Sequence, residues 1–79
     1  MNQKPIYSKD IVEKYHIPYA TVTHYTNMGF FTVVRRKGNK RLYNEDEIRK
    51  RLGKIRSLIN EGYPLRLIRN ILLNGEGQR

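Results

Sequence analysis

Residues 21–43, TVTHYTNMGFFTVVRRKGNKRLY, decide how this chain is expected to fold. The segment begins with hydroxyl and aromatic residues, continues into a run of aromatic and β-branched residues, and then turns at Gly38-Asn39. Aromatic and β-branched residues favour strands, and a Gly-Asn pair favours a tight hairpin turn. The segment therefore predicts a short helix that is followed by strands at residues 30–36 and 41–43, joined at a basic tip.

The residues before this hairpin predict two short helices. Ser8 can cap the first helix, which ends where His16-Ile17-Pro18 breaks the pattern, because a residue before proline is disfavoured in the α region. Pro18 suits a helix start, so the second helix is expected from about Tyr19 to Asn27, and Gly29 ends it. Two short helices joined by a turn are typical of a helix-turn-helix unit.

The residues after the hairpin predict two further helices. Asn44 is a candidate N-cap for the third helix and Pro64 begins the fourth. The expected buried positions are Ile48, Leu52, Ile55, Leu58 and Ile59 in the third helix and Leu65, Ile68, Ile71 and Leu72 in the fourth. The predicted fold class is mainly α, a winged helix-turn-helix of four helices with a two-stranded antiparallel β wing.

One domain is expected over residues 1–74, with an extended lead-in at residues 1–7 and a flexible tail at residues 75–79. The chain has no cysteine and no run of apolar residues long enough to cross a membrane, and we expect it to act in the cytoplasm. The carboxylates cluster at one helix start, and no phosphate-binding glycine loop or metal spacing is present. No catalytic residue, cofactor or metal site is therefore predicted, and the chain is not expected to be an enzyme.

Charge is the most informative bulk property of the chain. Sixteen Lys and Arg residues against seven Asp and Glu residues give a formal net charge of +9. Ten of these cations fall in two short segments, and five of the ten surround the hairpin turn: Arg35, Arg36, Lys37, Lys40 and Arg41. Such clustering favours a polyanionic partner, although a solvated charge run remains an alternative.

The ordered motifs resemble the N-terminal DNA-binding domain of MerR-family transcription regulators over about residues 7–73. The resemblance is carried by a helix that ends in Y-x-x-x-G-F at residues 25–30, an Arg-containing strand, GNKRLY at residues 38–43, and G-Y-P-L-x-x-I at residues 62–68. It implies that the second helix enters the major groove of DNA while the wing grips the backbone. It also implies that Thr23 and Tyr25 lie at positions of DNA contact, and that Tyr43 closes the wing on the core.

The full set of candidate DNA-binding residues combines this resemblance with the exposed positions of the two elements. It comprises Tyr19, Thr21, Thr23, His24 and Tyr25 in the helix, and Arg35, Arg36, Lys37, Asn39, Lys40, Arg41 and Tyr43 in the wing. The expected partners are double-stranded DNA and a second copy of the chain on that DNA, as a dimer or as cooperative neighbours. Tyr25 is equally compatible with packing, and Tyr43 favours a structural role.

The chain departs from the family where Thr23-His24-Tyr25-Thr26 replaces the usual Arg-Tyr-Tyr-Glu, so its preferred DNA sequence should differ. The main functional hypothesis is a nucleoid-associated, sequence-specific transcription regulator. The alternative is an excisionase-like or segregation-type architectural factor that bends DNA. A basic RNA-binding or protein-docking module is less favoured, because the aromatic residues fall mostly at core or helix-end positions.

Overall fold

The computed structural model describes residues 4–75 of the chain. Within this range four helices surround a small antiparallel sheet, which confirms the predicted mainly α winged helix-turn-helix. In chain order the elements are β1 (Pro5–Tyr7), α1 (Ser8–Tyr15), α2 (Tyr19–Asn27), β2 (Val33–Lys37), β3 (Lys40–Asn44), α3 (Glu45–Asn60), α4 (Leu65–Asn70) and a π-helical turn (Ile71–Gly75). Residues 76–79 of the predicted tail and the first three residues of the predicted lead-in lie outside the described range.

A tight connection joins α1 to α2. His16 adopts a left-handed conformation with φ 56° and ends α1, and Pro18, with φ −65°, precedes α2. The predicted bounds of the second helix are confirmed. The predicted Ser8 cap was wrong, because Tyr7 holds the extended N-cap position and Ser8 is already helical and buried. The strand before α1 brings extended backbone only as far as Tyr7, and so the helix starts at Ser8, one residue earlier than a Ser8 cap requires.

The sheet has three strands in the order β1-β3-β2, and the prediction of a two-stranded wing is corrected here. Ile6 pairs with Tyr43, which makes part of the expected lead-in a strand. The β1 strand has only three residues, too few for a sequence period to be visible, and it begins with a proline. Proline is compatible with this strand because β1 lies at the edge of the sheet.

The second strand also begins later than the sequence suggested. Phe30 and Phe31 are both fully buried, whereas successive residues of a strand point to opposite faces of a sheet. They lie in the connection before β2, where Phe30 N–H donates to Tyr25 O at 2.9 Å. The aromatic run therefore supplies core side chains, and the strand starts at Val33.

The core joins the sheet to all four helices. Its fully buried side chains are Ile11, Val22, Phe30, Phe31, Tyr43, Ile48, Ile55 and Ile68. The expectation that Ile59 is buried was wrong, since 45% of it is exposed. Ile59 lies in the last turn of the 16-residue α3, past the elements that cover Ile48 and Leu52.

The start of α3 holds two sets of polar contacts. Asn44 is the predicted cap, and its Oδ1 accepts hydrogen bonds from Asp46 N–H at 2.9 Å and Glu47 N–H at 3.3 Å. The Glu45 carboxylate accepts from Lys14 and from the Tyr15 hydroxyl at 3.1 Å, which joins the end of α1 to the start of α3. The bond from Lys14 lowers the pKa of Glu45 and raises that of Lys14, while burial and the Glu45 bond raise the pKa of Tyr15.

Replacing Gly53 with Ala should stabilise the protein. Gly53 is exposed inside α3, and an added Cβ would meet no other atom within 4 Å. Glycine in an exposed helix interior costs about 0.8–1.0 kcal/mol relative to alanine. In a domain of this size such a gain raises the midpoint of thermal unfolding by about 4–8 °C, which circular dichroism can measure.

The matched control is Gly29→Ala, which should lower the same midpoint. Gly29 has φ +89°, and an added Cβ would lie 3.1 Å from Leu73 Cδ1. Replacing glycine with alanine is thus expected to raise the midpoint of thermal unfolding at position 53 and to lower it at position 29. A Gly53→Ala variant that unfolds at a lower temperature than the parent would contradict the open surroundings of this helix face.

Candidate nucleic-acid interface

One face of α2 is open to solvent and carries short or flat side chains. Ala20, His24 and Asn27 are exposed along this face, and Thr21 and Thr23 flank it half-buried. Tyr19 stands at the start of the helix with 59% of its surface exposed. Asn27 was absent from the candidate residues, although its spacing of three from His24 already places it on the same face. The open face therefore extends over the whole nine-residue helix.

The opposite face of α2 packs on the core. Val22 is buried, and Thr26 lies four residues further along the same side. Tyr25 is half-buried and makes edge contacts with Phe30, at a centroid distance of 5.4 Å, and with Phe31, at 5.6 Å. Such aromatic contacts fix the orientation of the helix about its axis. Tyr25 thus packs, and it also keeps part of its surface at the edge of the open face.

The basic part of the three-stranded wing is the hairpin of β2 and β3, in which cations face each other across the strands. Arg36 pairs with Arg41 and Lys37 with Lys40, and Gly38, with φ 63°, occupies the first position of the two-residue turn. Positive φ at that position alone is the pattern of a type II′ hairpin turn, with Asn39 as its second residue. Like charges directly opposite each other destabilise a hairpin. The wing therefore concentrates positive charge at the expense of its own stability.

The cations of the wing are divided between the two faces of the sheet. Tyr43 points to the core, so Arg41 and its partner Arg36, which follow the same alternation, lie on the face toward the helices. Arg35, Lys37 and Lys40 lie on the outer face with Leu42. The irregular register at Val34 sets this arrangement, because Val33 pairs with Tyr43 but Arg35 pairs with Leu42.

None of these five cations forms an ion pair within residues 4–75. Residues 33–43 contain no Asp or Glu. Among the described residues, the only cation–π contact that involves one of the five places Lys40 Nζ 5.7 Å from the Tyr7 ring centroid. Four of the five cations are exposed and Arg41 is half-buried. The wing thus presents positive charge that the described part of the chain does not neutralise.

Tyr43 connects the wing to α2. The Tyr43 hydroxyl and Thr26 Oγ1 are 2.8 Å apart, and Thr26 Oγ1 also lies 2.7 Å from Val22 O. The Tyr43 ring packs edge-on against Phe31 at 6.2 Å. Because Tyr43 is 0% exposed, it offers no surface to a nucleic acid and supports the interface from within.

Several cations outside the wing are engaged within the protein. Arg49 pairs with Asp46 at 2.8 Å, and Arg56 donates to Tyr15 O at 3.1 Å. Arg51 and Arg69 donate to carbonyl groups near the end of α2. Sequence spacing did not separate Arg51, Arg56 and Arg69 from the cations that face solvent, since their partners are backbone carbonyls outside their own helices. Lys50 and Lys54 are exposed, and no ion pair involves them in the described range.

Within residues 4–75, no group of three His, Cys, Asp or Glu side chains is placed to hold a metal ion. No helix of this part of the chain is both long and apolar enough to cross a membrane.

An exposed helix after a tight turn, followed by a basic hairpin, defines a winged helix-turn-helix protein. A family model described as MerR HTH family regulatory protein matches residues 7–74, and the chain belongs to this family. No curated protein and no solved structure matches the chain. Membership confirms the resemblance found in the sequence and indicates DNA-binding transcription regulation.

The contact between Tyr43 and Thr26 can be tested with a double-mutant cycle. Tyr43→Phe and Thr26→Val should each lower the free energy of unfolding by about 0.5–1.5 kcal/mol, because each removes the hydrogen bond between the two partly buried hydroxyls. The double variant should lose less than the sum of the two, since this shared hydrogen bond can be lost only once. Urea unfolding measures all four proteins. Strictly additive losses would show that the two hydroxyls do not interact.

Proposed function

We propose that the protein is a sequence-specific double-stranded DNA-binding transcription regulator and not an enzyme. In this proposal α2 enters the major groove and the wing contacts flanking phosphates or the minor groove. The observation that carries the proposal is the unneutralised charge of the wing, where Arg36 faces Arg41 and Lys37 faces Lys40. A duplex supplies the negative charge that this hairpin lacks.

The wing is suited to phosphate contact on both of its faces. Arg36 and Arg41 lie on the side of the sheet that faces the helices, whereas Arg35, Lys37 and Lys40 lie on the outer side. Contacts to phosphates fix the position and orientation of a protein on DNA without carrying sequence information. Neutralising opposed cations also removes their mutual repulsion, so the hairpin should be more stable on DNA than in the free protein.

The open face of α2 is suited to contact with base edges. Asparagine can form a bidentate pair with adenine, and Thr side chains can bond to either purine or pyrimidine edges, so Asn27, Thr21 and Thr23 join His24 as candidates. No side chain caps the N-terminus of α2, which begins at the exposed Tyr19, and a helix N-terminus suits a phosphate. Tyr25 at the edge of this surface and Asn39 in the hairpin turn of the wing remain proposed contacts, and Tyr43 is assigned to support.

One domain of this kind contacts only a half-site, so we extend the proposal to a second copy on the DNA. A dimer, or two cooperative neighbours, would double the length of DNA that is contacted and would thereby increase the sequence specificity of binding. Two free copies each carry a formal charge of +9, and their repulsion disfavours association away from DNA. DNA-dependent pairing follows from this charge, and the proposed place of action is the cytoplasmic nucleoid.

The salt dependence of duplex binding tests the wing. If about five phosphates are contacted, the logarithm of the binding constant should fall with the logarithm of salt concentration at a slope of about −4.5. Arg36→Gln with Lys37→Gln removes one member of each like-charge pair. This double variant should have a slope shallower by about 1.8, and its free form should unfold at no lower temperature than the parent.

Lys50→Gln with Lys54→Gln is the matched control for the wing substitutions. It also removes two positive charges, but from exposed positions on α3. Its slope should change less than that of the wing variant. If the salt slopes of the two double variants change equally, the wing contributes only as part of a general basic surface.

Base readout is tested by His24→Ala and Asn27→Ala in a selection from a random duplex library. Each substitution should change the preferred base at its own position, because a lost base contact is worth about 1–3 kcal/mol of discrimination. Asn60→Ala, an exposed asparagine at the end of α3, is the control and should leave the preference unchanged. If both α2 variants keep the parental preference, α2 does not determine the preferred DNA sequence.

Strong bending of DNA without an effect on transcription would favour the architectural alternative.

A further inference from the structure

The segment Met28–Thr32, which joins α2 to the wing, is held by three charged side chains from other elements. Arg69 Nε on α4 donates to Met28 O at 2.9 Å, and an Arg51 guanidinium nitrogen on α3 lies 3.4 Å from Phe30 O. The Glu47 carboxylate on α3 accepts from Thr32 N–H at 3.0 Å and from Thr32 Oγ1 at 3.1 Å. We name Glu47, Arg51 and Arg69 the anchoring cluster.

The anchoring cluster satisfies backbone groups that have no partner in a helix or strand. Met28 is the C-cap of α2, where the last carbonyls of a helix lack intrahelical donors and favour a cation. Hydrogen bonds that involve a charged group are shorter and stronger than neutral ones. Three such groups on five consecutive residues therefore restrict the path of the connection.

A second contact restricts the same segment from the C-terminal side. An added Cβ on Gly29 would lie 3.1 Å from Leu73 Cδ1, so the π-helical turn approaches the backbone of the connection closely. The Arg69 contact comes from the helix just before this turn. The end of α2 is thus fixed by α3 on one side, and by α4 with its π-helical continuation on the other.

We propose that the anchoring cluster is a positioning device for base readout, an inference that rests on the proposed function. None of its residues belongs to α2 or to the wing, yet it fixes the segment that sets the distance between them. A duplex offers its major groove and flanking phosphates at a fixed separation. If the connection shifts, the wing can still follow phosphates, but α2 no longer matches the base edges.

This assignment separates Arg51 and Arg69 from the cations that face DNA. Arg51 is half-buried, and both guanidinium groups direct donors at protein carbonyls. Arg66 is exposed on α4, and no hydrogen bond or ion pair involves it within residues 4–75. Arg66 and Lys50 therefore serve as charge-matched references on the same two helices.

The test compares Arg51→Met with Arg69→Met against Lys50→Met with Arg66→Met, because methionine keeps most of the side-chain length and has no N–H donor. Each double variant loses two positive charges from α3 and α4, so the change in the electrostatic field is similar. The measured quantity is the ratio of affinities for the selected duplex and for a random duplex, together with the salt slope of each. In the anchoring variant this ratio should fall about tenfold, which is comparable to the loss of one weak base contact. The salt slope of the anchoring variant should equal that of the reference variant.

Two further variants separate positioning from a loss of folding. Arg69→Lys keeps a donor for the Met28 carbonyl and should restore part of the ratio lost in Arg69→Met. Glu47→Gln keeps an acceptor for Thr32 and should have a smaller effect than Glu47→Ala. If the double variant does not fold, Arg69→Met is compared with Arg66→Met in the same way, after circular dichroism confirms that both are folded.

The outcomes distinguish the inference from the proposed function. If the parent protein shows no preference among duplex sequences, the proposed function fails and the inference falls with it. If the parent protein has a preference but the anchoring and reference variants lose equal fractions of it, only the positioning role is overturned. A loss confined to the anchoring variant, with partial rescue by Arg69→Lys, supports the inference.

Discussion

The structure depends on the burial of Tyr43, a polar aromatic residue in the central strand. A buried hydroxyl needs a hydrogen-bond partner, and the Tyr43 hydroxyl has one only if Thr26 of α2 stands 2.8 Å away. The same residue pairs with Ile6 on one side and with Val33 on the other, so its inward orientation fixes the register of all three strands. A shift by one residue would expose the ring and reverse both faces of the wing. One side chain thus determines where α2 lies and which way the wing cations point.

The carboxylates at the start of α3 and the cations of the wing have different surroundings. The three carboxylates at the start of α3 are all engaged within the protein, since Glu45 binds Lys14 and Tyr15, Asp46 binds Arg49, and Glu47 binds Thr32. None of them pairs with a wing cation. The wing keeps its repulsive cross-strand pairs, which a sequence selected for stability alone would replace. The local instability of the free wing is therefore best explained by the polyanion it is proposed to bind.

The sequence predicted those features that depend on local chemistry. The bounds of α2, the Asn44 cap and the Gly38-Asn39 turn each follow from the conformational preferences of a few adjacent residues, and all three are found. The errors arose where distant elements decide. The three-residue β1 exists because Ile6 pairs with Tyr43, and Phe30 and Phe31 face inward because Tyr25 and the core receive them. Likewise, the net charge revealed a basic protein, but spacing alone could not show that Arg51 and Arg69 point at backbone carbonyls while the wing cations face solvent.

The support of α2 matters because the helix has little stability of its own. It has nine residues, no capping side chain, and four β-branched residues in Thr21, Val22, Thr23 and Thr26. Isolated helices of this length are not stable in water, and β-branched residues reduce helix propensity further. The helical conformation is therefore maintained by packing through Val22, by the hydroxyl contact at its inner face and by the side chains that fix its C-terminal connection. This dependence leaves the open face free to carry the short, polar residues that are proposed to contact bases, because the residues that stabilise the helix lie elsewhere in the fold.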